Sequence, residues 1–176
     1  MRDLLPMQRR TFFKLGLASA ALLAVAGGLA LQIKPGLEPD GRLSISGRTV
    51  FTAVATAILD SSLSPDKAVR QQSVDSLLSR IDALVQALPP HAQAELSQLL
   101  ALLATDLGRN TLAGLNQPWP EATVPVVQQS LESMRFSSLA VRQQAYGALH
   151  DITAAAFFSD SANWPLLGYP GPMAIG

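Results

Sequence analysis

Apolar residues recur at every third or fourth position through most of residues 49–158, and no stretch alternates regularly between polar and apolar residues. This spacing is typical of amphipathic helices, whereas strict alternation would indicate half-buried strands. The pattern therefore predicts an all-α fold without a sheet, an irregular bundle of about five helices. The predicted helices span residues 49–62, 64–88, 91–107, 123–134 and 139–158.

Proline, glycine and small polar residues predict where these helices begin and end. Ser64 and Pro65 are typical of an N-cap followed by the first helical position. Pro89 and Pro90 predict the end of that helix, and Gly108 predicts the end of the next one, with irregular chain over residues 108–120. The side chains expected to face the core include Val50, Phe51, Val54, Ile58, Leu59, Leu77, Ile81, Leu100, Leu107, Leu139, Leu149 and Phe157.

The N-terminus combines a basic cluster with an apolar run. Arg9 and Arg10 are adjacent, Phe12 and Lys14 follow, and the 17 residues 15–31 carry no charge. A basic head before an apolar body is typical of an export signal. The paired arginines resemble a twin-arginine leader, which a translocon for folded proteins reads as an address. Residues 1–34 are therefore predicted to be a signal segment that sends the chain to the periplasm.

Two alternatives to this leader stay open: a membrane anchor with its positive end in the cytoplasm, and a Sec-type signal that happens to carry two arginines. The twin-arginine motif usually has a hydroxyl residue and a leucine where this chain has Gln8 and Phe13. Cleavage after Ala26 fits a small-x-small site. If retained, the 17-residue run would span about 26 Å, slightly less than a bilayer core of about 30 Å, so an inner-membrane anchor is also open.

Residues 35–48 contain three glycines and two prolines, which predicts a linker before a helical domain over residues 49–176.

Composition limits the chemistry that the rest of the chain can perform. The chain has no cysteine, so thiolate metal sites, attached haem, iron–sulfur clusters and disulfides are excluded within it. Residues 35–176 carry 8 basic and 12 acidic side chains, and this mildly acidic balance argues against nucleic-acid binding.

No motif in the sequence predicts an active site. His91 and His150 lack further ligands at a metal-binding spacing, and on a helix Asp151 would point about 100° away from His150. The chain has no Gly-x-Ser-x-Gly elbow and no glycine-rich nucleotide loop. We therefore expect a protein without catalytic residues, cofactor or metal of its own.

The C-terminal segment, residues 159–176, joins structure-breaking residues to large apolar ones. Three prolines and three glycines predict an extended tail rather than a long helix. Trp164, Leu166, Leu167, Tyr169 and Met173 nevertheless carry much apolar area. Such a tail either folds back over its own helices or lies on another protein, where tryptophan and tyrosine are common anchors.

In the tail, Trp164 is followed after three residues by Gly-Tyr-Pro-Gly-Pro. The chain before it contains the run from Gln129 to Ser133, the pair Phe136 and Ser137, Arg142, the pair Phe157 and Phe158, and Asp160. With these features, residues 119–172 resemble the small subunit of membrane-bound, three-subunit gluconate 2-dehydrogenases, and the tail is the most specific part of the resemblance.

This resemblance implies a non-catalytic subunit. In that family, a large subunit of the glucose-methanol-choline oxidoreductase type binds FAD and oxidises a sugar or alcohol, and a c-type cytochrome often takes the electrons. The small subunit carries the export signal for both, here Arg9, Arg10, Phe12 and Lys14. The residues that it would use to bind its partner are Trp164, Gly168, Tyr169, Pro170, Gly171 and Pro172.

Two other functions stay open on the sequence. A stand-alone periplasmic helical protein could bind a small apolar ligand or a lipid, and would need an enclosed apolar pocket. A hydrolase would need a cleft that unites His91 or His150 with a serine and an acid.

Overall fold

The computed structural model describes residues 34–169, so the leader motif and residues 170–176 lie outside the described part. This part is mostly helical and has no strand, apart from an isolated bridge between Leu37 and Leu43. The predicted all-α class is therefore confirmed for it. None of its helices combines the length and apolarity needed to cross a membrane. The helices are α1 (Ile45–Ile58), α2 (Lys67–Gln86), α3 (Pro90–Ala104), α4 (Asp106–Gly108), α5 (Val124–Arg135) and α6 (Ala140–Phe158).

Helix α1 is central, because it packs against α2, α3, α5 and α6. Its buried face contains Val50, Phe51, Val54 and Ala55, none of which is exposed to solvent. Removing these side chains from water is the main source of stability for such a bundle. The other helices turn their own apolar faces towards α1 and one another, through Leu77, Ile81, Val85, Leu100, Leu103, Val127, Met134, Leu149 and Phe157.

The predicted linker proves to be largely part of the folded body. Leu37 and Leu43 are buried in the core, and the backbone N–H of Leu43 donates to the Asp82 carboxylate over 2.8 Å. Helix α1 begins at Ile45, four residues before the predicted start. Ser44 is the N-cap, since its hydroxyl accepts a hydrogen bond from the backbone of the third helical residue.

The N-terminal loop, residues 36–44, is fastened at several points. The backbone N–H groups of Gly36 and Leu37 donate to the carbonyl and hydroxyl oxygens of Ser97 on α3, over 3.2 and 3.1 Å. Within the turn, the backbone N–H of Arg42 donates to Asp40, and the Arg42 guanidinium does likewise. These contacts lower the pKa of the Asp40 carboxyl.

Helix α2 starts two residues later than predicted. Asp66 rather than Ser64 is the N-cap, because its carboxylate accepts from the backbone N–H groups of Ala68 and Val69. The Ser64 hydroxyl instead accepts from the N–H of Asp66 over 3.2 Å. An aspartate suits this position because it also complements the positive end of the helix dipole.

The region after α3 differs most from its prediction. Helix α3 ends at Ala104, where Thr105 has an extended backbone. The Thr105 hydroxyl donates to the Leu102 carbonyl and accepts from the Gly108 N–H, so it caps a new helical segment. The change of direction turns Leu107, predicted to lie in the core, outward to 61% exposure.

The predicted stop around Gly108 is itself helical. Helix α4 continues directly into a π-helical turn, Arg109–Ala113, where residues 108–120 were predicted to be irregular. The segment ends at Gly114, whose φ of +70° lies in the left-handed region that favours glycine. A buried arginine, Arg109, holds the turn together by donating to the Leu115 carbonyl and pairing with Asp106.

Leu139 is a second residue wrongly placed in the core. Helix α6 begins at Ala140, and Leu139 occupies the preceding N-cap position, where it is 59% exposed. Its backbone N–H donates to the Ser137 hydroxyl over 3.1 Å. Because a cap residue lacks helical backbone angles, the periodicity of the helix does not set the direction of its side chain.

Two helical glycines provide a matched test of packing. A Cβ on Gly47 would lie 2.3 Å from the carbonyl oxygen of Gly36, whereas a Cβ on Gly147 would meet no atom within 4 Å. We expect Gly47→Ala to lower the free energy of unfolding by about 1–3 kcal/mol. Gly147→Ala should raise it by about 0.5–1 kcal/mol, because alanine favours a helix interior. Urea denaturation followed by circular dichroism measures both, and similar stabilisation by both variants would contradict the close packing.

Candidate functional site

The chain after α6 forms a capped turn over residues 160–169, the C-terminal turn. Residues Ser161–Leu167 form a 3-10 helix, and Asp160 caps it by accepting from the backbone N–H of Ala162. Gly168 ends it with a φ of +67°. The predicted extended tail is therefore wrong as far as Leu167. The internal Pro165 is tolerated because only a short helix is formed, in which few backbone N–H groups need a partner.

An aromatic pair lies on this C-terminal turn. The ring centroids of Trp164 and Tyr169 are 5.4 Å apart, with planes tilted by 56°. The indole N–H of Trp164 donates to the Phe158 carbonyl over 2.8 Å, so the half-buried tryptophan is held by α6. Tyr169 is 46% exposed and the neighbouring Leu166 is 61% exposed. The turn thus packs on its own helix with one side and presents apolar area to solvent with the other.

Arg80 on α2 connects the C-terminal turn to the bundle. Its Nε donates to the Ala156 carbonyl over 2.9 Å, and its Nη1 lies 3.4 Å from the Asp160 carboxylate. Both partners of the ion pair are partly exposed, so its contribution to stability is at most about 1 kcal/mol. The hydrogen bond to the Ala156 carbonyl fixes the Arg80 side chain, so the C-terminal turn is held in place by both α2 and α6.

The structure describes only part of the predicted site. Trp164, Gly168 and Tyr169 come together on the C-terminal turn. The remaining predicted residues lie outside the described part: Arg9, Arg10, Phe12, Lys14, Pro170, Gly171 and Pro172.

The histidine groove is an open depression of about 370 Å³ between the end of α1, helix α5 and helix α6. His150 stacks on Tyr146 with ring centroids 5.4 Å apart. Its Nδ1 lies 3.0 Å from Asp151, although neighbouring helical side chains diverge by about 100°. The groove is lined by Ala57, Ile58, Gln128, Leu131, Glu132, Arg135, Tyr146 and His150.

This groove lacks the parts that a serine hydrolase needs. It unites His150 with the carboxylate of Glu132, but no serine lines it. His91 is exposed near the start of α3. Across residues 34–169, no cluster of three histidine, aspartate or glutamate side chains is placed to hold a metal ion.

A second open depression, the amide groove, lies between α5 and the segment after the π-helical turn and measures about 470 Å³. Its polar lining is made of side-chain amides and hydroxyls and includes no charged residue. The Ser130 hydroxyl donates to the Ala113 carbonyl over 2.6 Å, which fixes α5 against the turn. The lining residues are Gly114, Leu115, Asn116, Gln117, Val126, Gln129, Ser130 and Ser133.

Arg142, in the first turn of α6, borders the amide groove. Its Nε donates to the Leu112 carbonyl over 2.7 Å, and its Nη2 donates to the Ser133 hydroxyl over 3.0 Å. Arg142 stands out in the sequence, but no sequence pattern predicts the groove. Asn116 and Gln117 lie far from Arg142 along the chain, so no local motif joins the three residues.

No known protein family, characterised protein or solved structure is significantly similar to this chain. The resemblance of residues 119–172 to a dehydrogenase small subunit stays a prediction from the sequence.

The two tryptophans allow a test of whether the C-terminal turn belongs to the core. Trp119 is buried and its indole N–H donates to the Leu103 carbonyl over 2.8 Å. We expect Trp119→Phe to cost about 1–3 kcal/mol, because a buried carbonyl loses its donor. Trp164→Phe should cost less than about 1 kcal/mol, because water can replace the donor at a half-buried site. Urea midpoints provide the comparison, and an equal or larger loss for Trp164→Phe would place the turn in the core.

Proposed function

We propose that this protein is a non-catalytic subunit that binds an FAD-dependent dehydrogenase of the glucose-methanol-choline type. It stabilises that flavoprotein and takes it through the twin-arginine route to the periplasm. The C-terminal turn carries the proposal, because its Trp164 and Tyr169 belong to the most specific part of the family resemblance. A c-type cytochrome as electron acceptor and attachment to the inner membrane through residues 1–34 belong to the same proposal.

The export route gives the proposal a physical reason. FAD is bound by a folded protein, so a flavoprotein that acquires its cofactor in the cytoplasm must cross the membrane in the folded state. A twin-arginine leader is an address for folded proteins. A subunit that carries the pair Arg9 and Arg10 can supply this address to a partner that has none.

The exposed side of the C-terminal turn supports a role in docking. Tyr169 and Leu166 present apolar area beside the half-buried Trp164, which is already oriented by its hydrogen bond to Phe158. Large side chains held in one orientation lose little entropy on binding, and tryptophan and tyrosine are frequent anchors of protein interfaces.

The grooves do not favour the alternative function, binding of a small apolar ligand or lipid. That function requires an enclosed pocket with a mostly apolar lining. The two depressions described above are open grooves, in which polar side chains lie beside apolar ones such as Ile58 and Val126. Their openness supports a surface that docks another protein more than a pocket for a small ligand.

The leader provides the decisive experiment. In the natural host, Arg9→Lys together with Arg10→Lys should leave both this chain and an FAD-containing dehydrogenase in the cytoplasm, because the address is read from the paired guanidinium groups. Flavin fluorescence and dehydrogenase activity in the periplasmic and membrane fractions measure the effect.

Arg2→Lys is the matched control, because it makes the same change outside the arginine pair, and it should leave export unchanged. Purification of the exported chain should yield a flavoprotein at equal stoichiometry. If the dehydrogenase still reaches the periplasm when the double variant is retained, the escort function is wrong.

A further inference from the structure

The amide groove contains hydrogen-bonding capacity that the fold does not use. The side chains of Asn116, Gln117 and Gln129 line it, and within residues 34–169 none of the three makes a side-chain hydrogen bond, whereas Ser130 and Ser133 do. A side-chain amide offers both a donor and an acceptor, as a peptide unit does. Amides that line an open groove can therefore form hydrogen bonds with the backbone of an extended peptide.

Arg142 adds a fixed positive charge at the edge of this groove. No carboxylate within residues 34–169 lies at salt-bridge distance from it, and no acidic residue lines the groove. The Leu112 carbonyl and the hydroxyls of Ser133 and Ser137 hold the guanidinium in place. Since a guanidinium has five N–H donors and these contacts use three, about two stay available to an external acceptor.

Gly114 has no side chain that would cover the Arg142 guanidinium at the edge of the groove. A Cβ at this position would lie 3.2 Å from Nη2 of Arg142, and the φ of +70° itself disfavours other residues. The loop therefore passes beside the arginine without a side chain that would cover it. An arginine that is oriented and has no carboxylate partner among the described residues is suited to pair with an external carboxylate through two parallel hydrogen bonds.

We propose that the amide groove binds an extended peptide segment that carries a glutamate or aspartate. Arg142 would pair with the carboxylate, and Asn116, Gln117 and Gln129 would bond to the peptide backbone. The absence of acidic lining residues gives the groove the charge complementarity that an acidic segment needs. The assignment of this segment to the co-exported flavoprotein rests on the function proposed above, whereas the chemistry of the groove does not.

A pair of synthetic peptides tests the groove directly. Both have blocked ends and alanine at the flanking positions, and they differ only in a central glutamate or glutamine. The full chain is kept in a non-ionic detergent because of the apolar run 15–31. We expect the glutamate peptide to bind about tenfold more tightly than the glutamine peptide, because charge-assisted hydrogen bonds exceed neutral ones. NMR titration of the side-chain amide signals should show shifts of Asn116, Gln117 and Gln129.

Three variants separate recognition from folding. Gln129→Glu places a negative charge in the groove without removing a hydrogen bond of the fold, and should weaken glutamate-peptide binding by about tenfold. Gln98→Glu makes the same change on an exposed position of α3 outside the groove and should have no effect. Arg142→Lys should reduce but not abolish the preference for glutamate, because lysine keeps the positive charge but cannot form the paired bonds.

Equal binding of the two peptides, binding of neither, or shifts confined to other side chains would overturn the proposal. These results do not depend on the flavoprotein. If the glutamate peptide binds as expected but the dehydrogenase is exported without this chain, the groove stands and the escort function fails.

Discussion

The buried carboxylate of Asp82 connects α2 to the N-terminal loop and to α1. It accepts hydrogen bonds from the backbone N–H of Leu43 and from the guanidinium of Arg48. A buried carboxylate is tolerated only with such partners, so α2 can carry it only if the N-terminal loop and α1 are in their native places. The loop then places Leu43 in the core and sets the start of α1, against which the other long helices pack.

The described residues form a packed core and, on the surface, side chains that the fold orients but uses only in part. The core around Phe51 is fully buried and its polar groups are satisfied: within residues 34–169, no buried side-chain nitrogen or oxygen lacks a hydrogen-bond partner. In contrast, Trp164 on the C-terminal turn and Arg142 at the amide groove are oriented by internal hydrogen bonds, and the exposed Tyr169 packs against Trp164. Orientation in advance lowers the entropy lost on association, which supports both binding proposals made above.

The sequence allowed the helices to be predicted, because hydrophobic periodicity over ten or more residues is a strong signal. Periodicity does not locate the ends of the helices. There, Ser44, Asp66 and Thr105 each form a hydrogen bond with nearby backbone and so fix the boundary. The misplacement of Leu107 followed from the boundary at Thr105, and that of Leu139 from the start of α6 at Ala140. The amide groove was beyond prediction, since it depends on α5 packing against the segment after the π-helical turn, which Arg142 contacts from thirty residues away along the chain. The aromatic residues of the C-terminal turn could be selected from the sequence, but their hydrogen bonds could not.

The fastening of the N-terminal loop has a mechanical consequence. The backbone N–H groups of Gly36 and Leu37 donate hydrogen bonds to Ser97 on α3, and Gly36 lies only two residues after the described part begins. Any tension applied through Lys34 therefore loads the bond from the Ser44 hydroxyl to the Pro35 carbonyl first, the bonds of Gly36 and Leu37 next, and the link between Leu43 and Asp82 after them. Bonds loaded one after another yield at lower force than bonds loaded together, so a pull from this end would peel the loop away while the helices stay assembled.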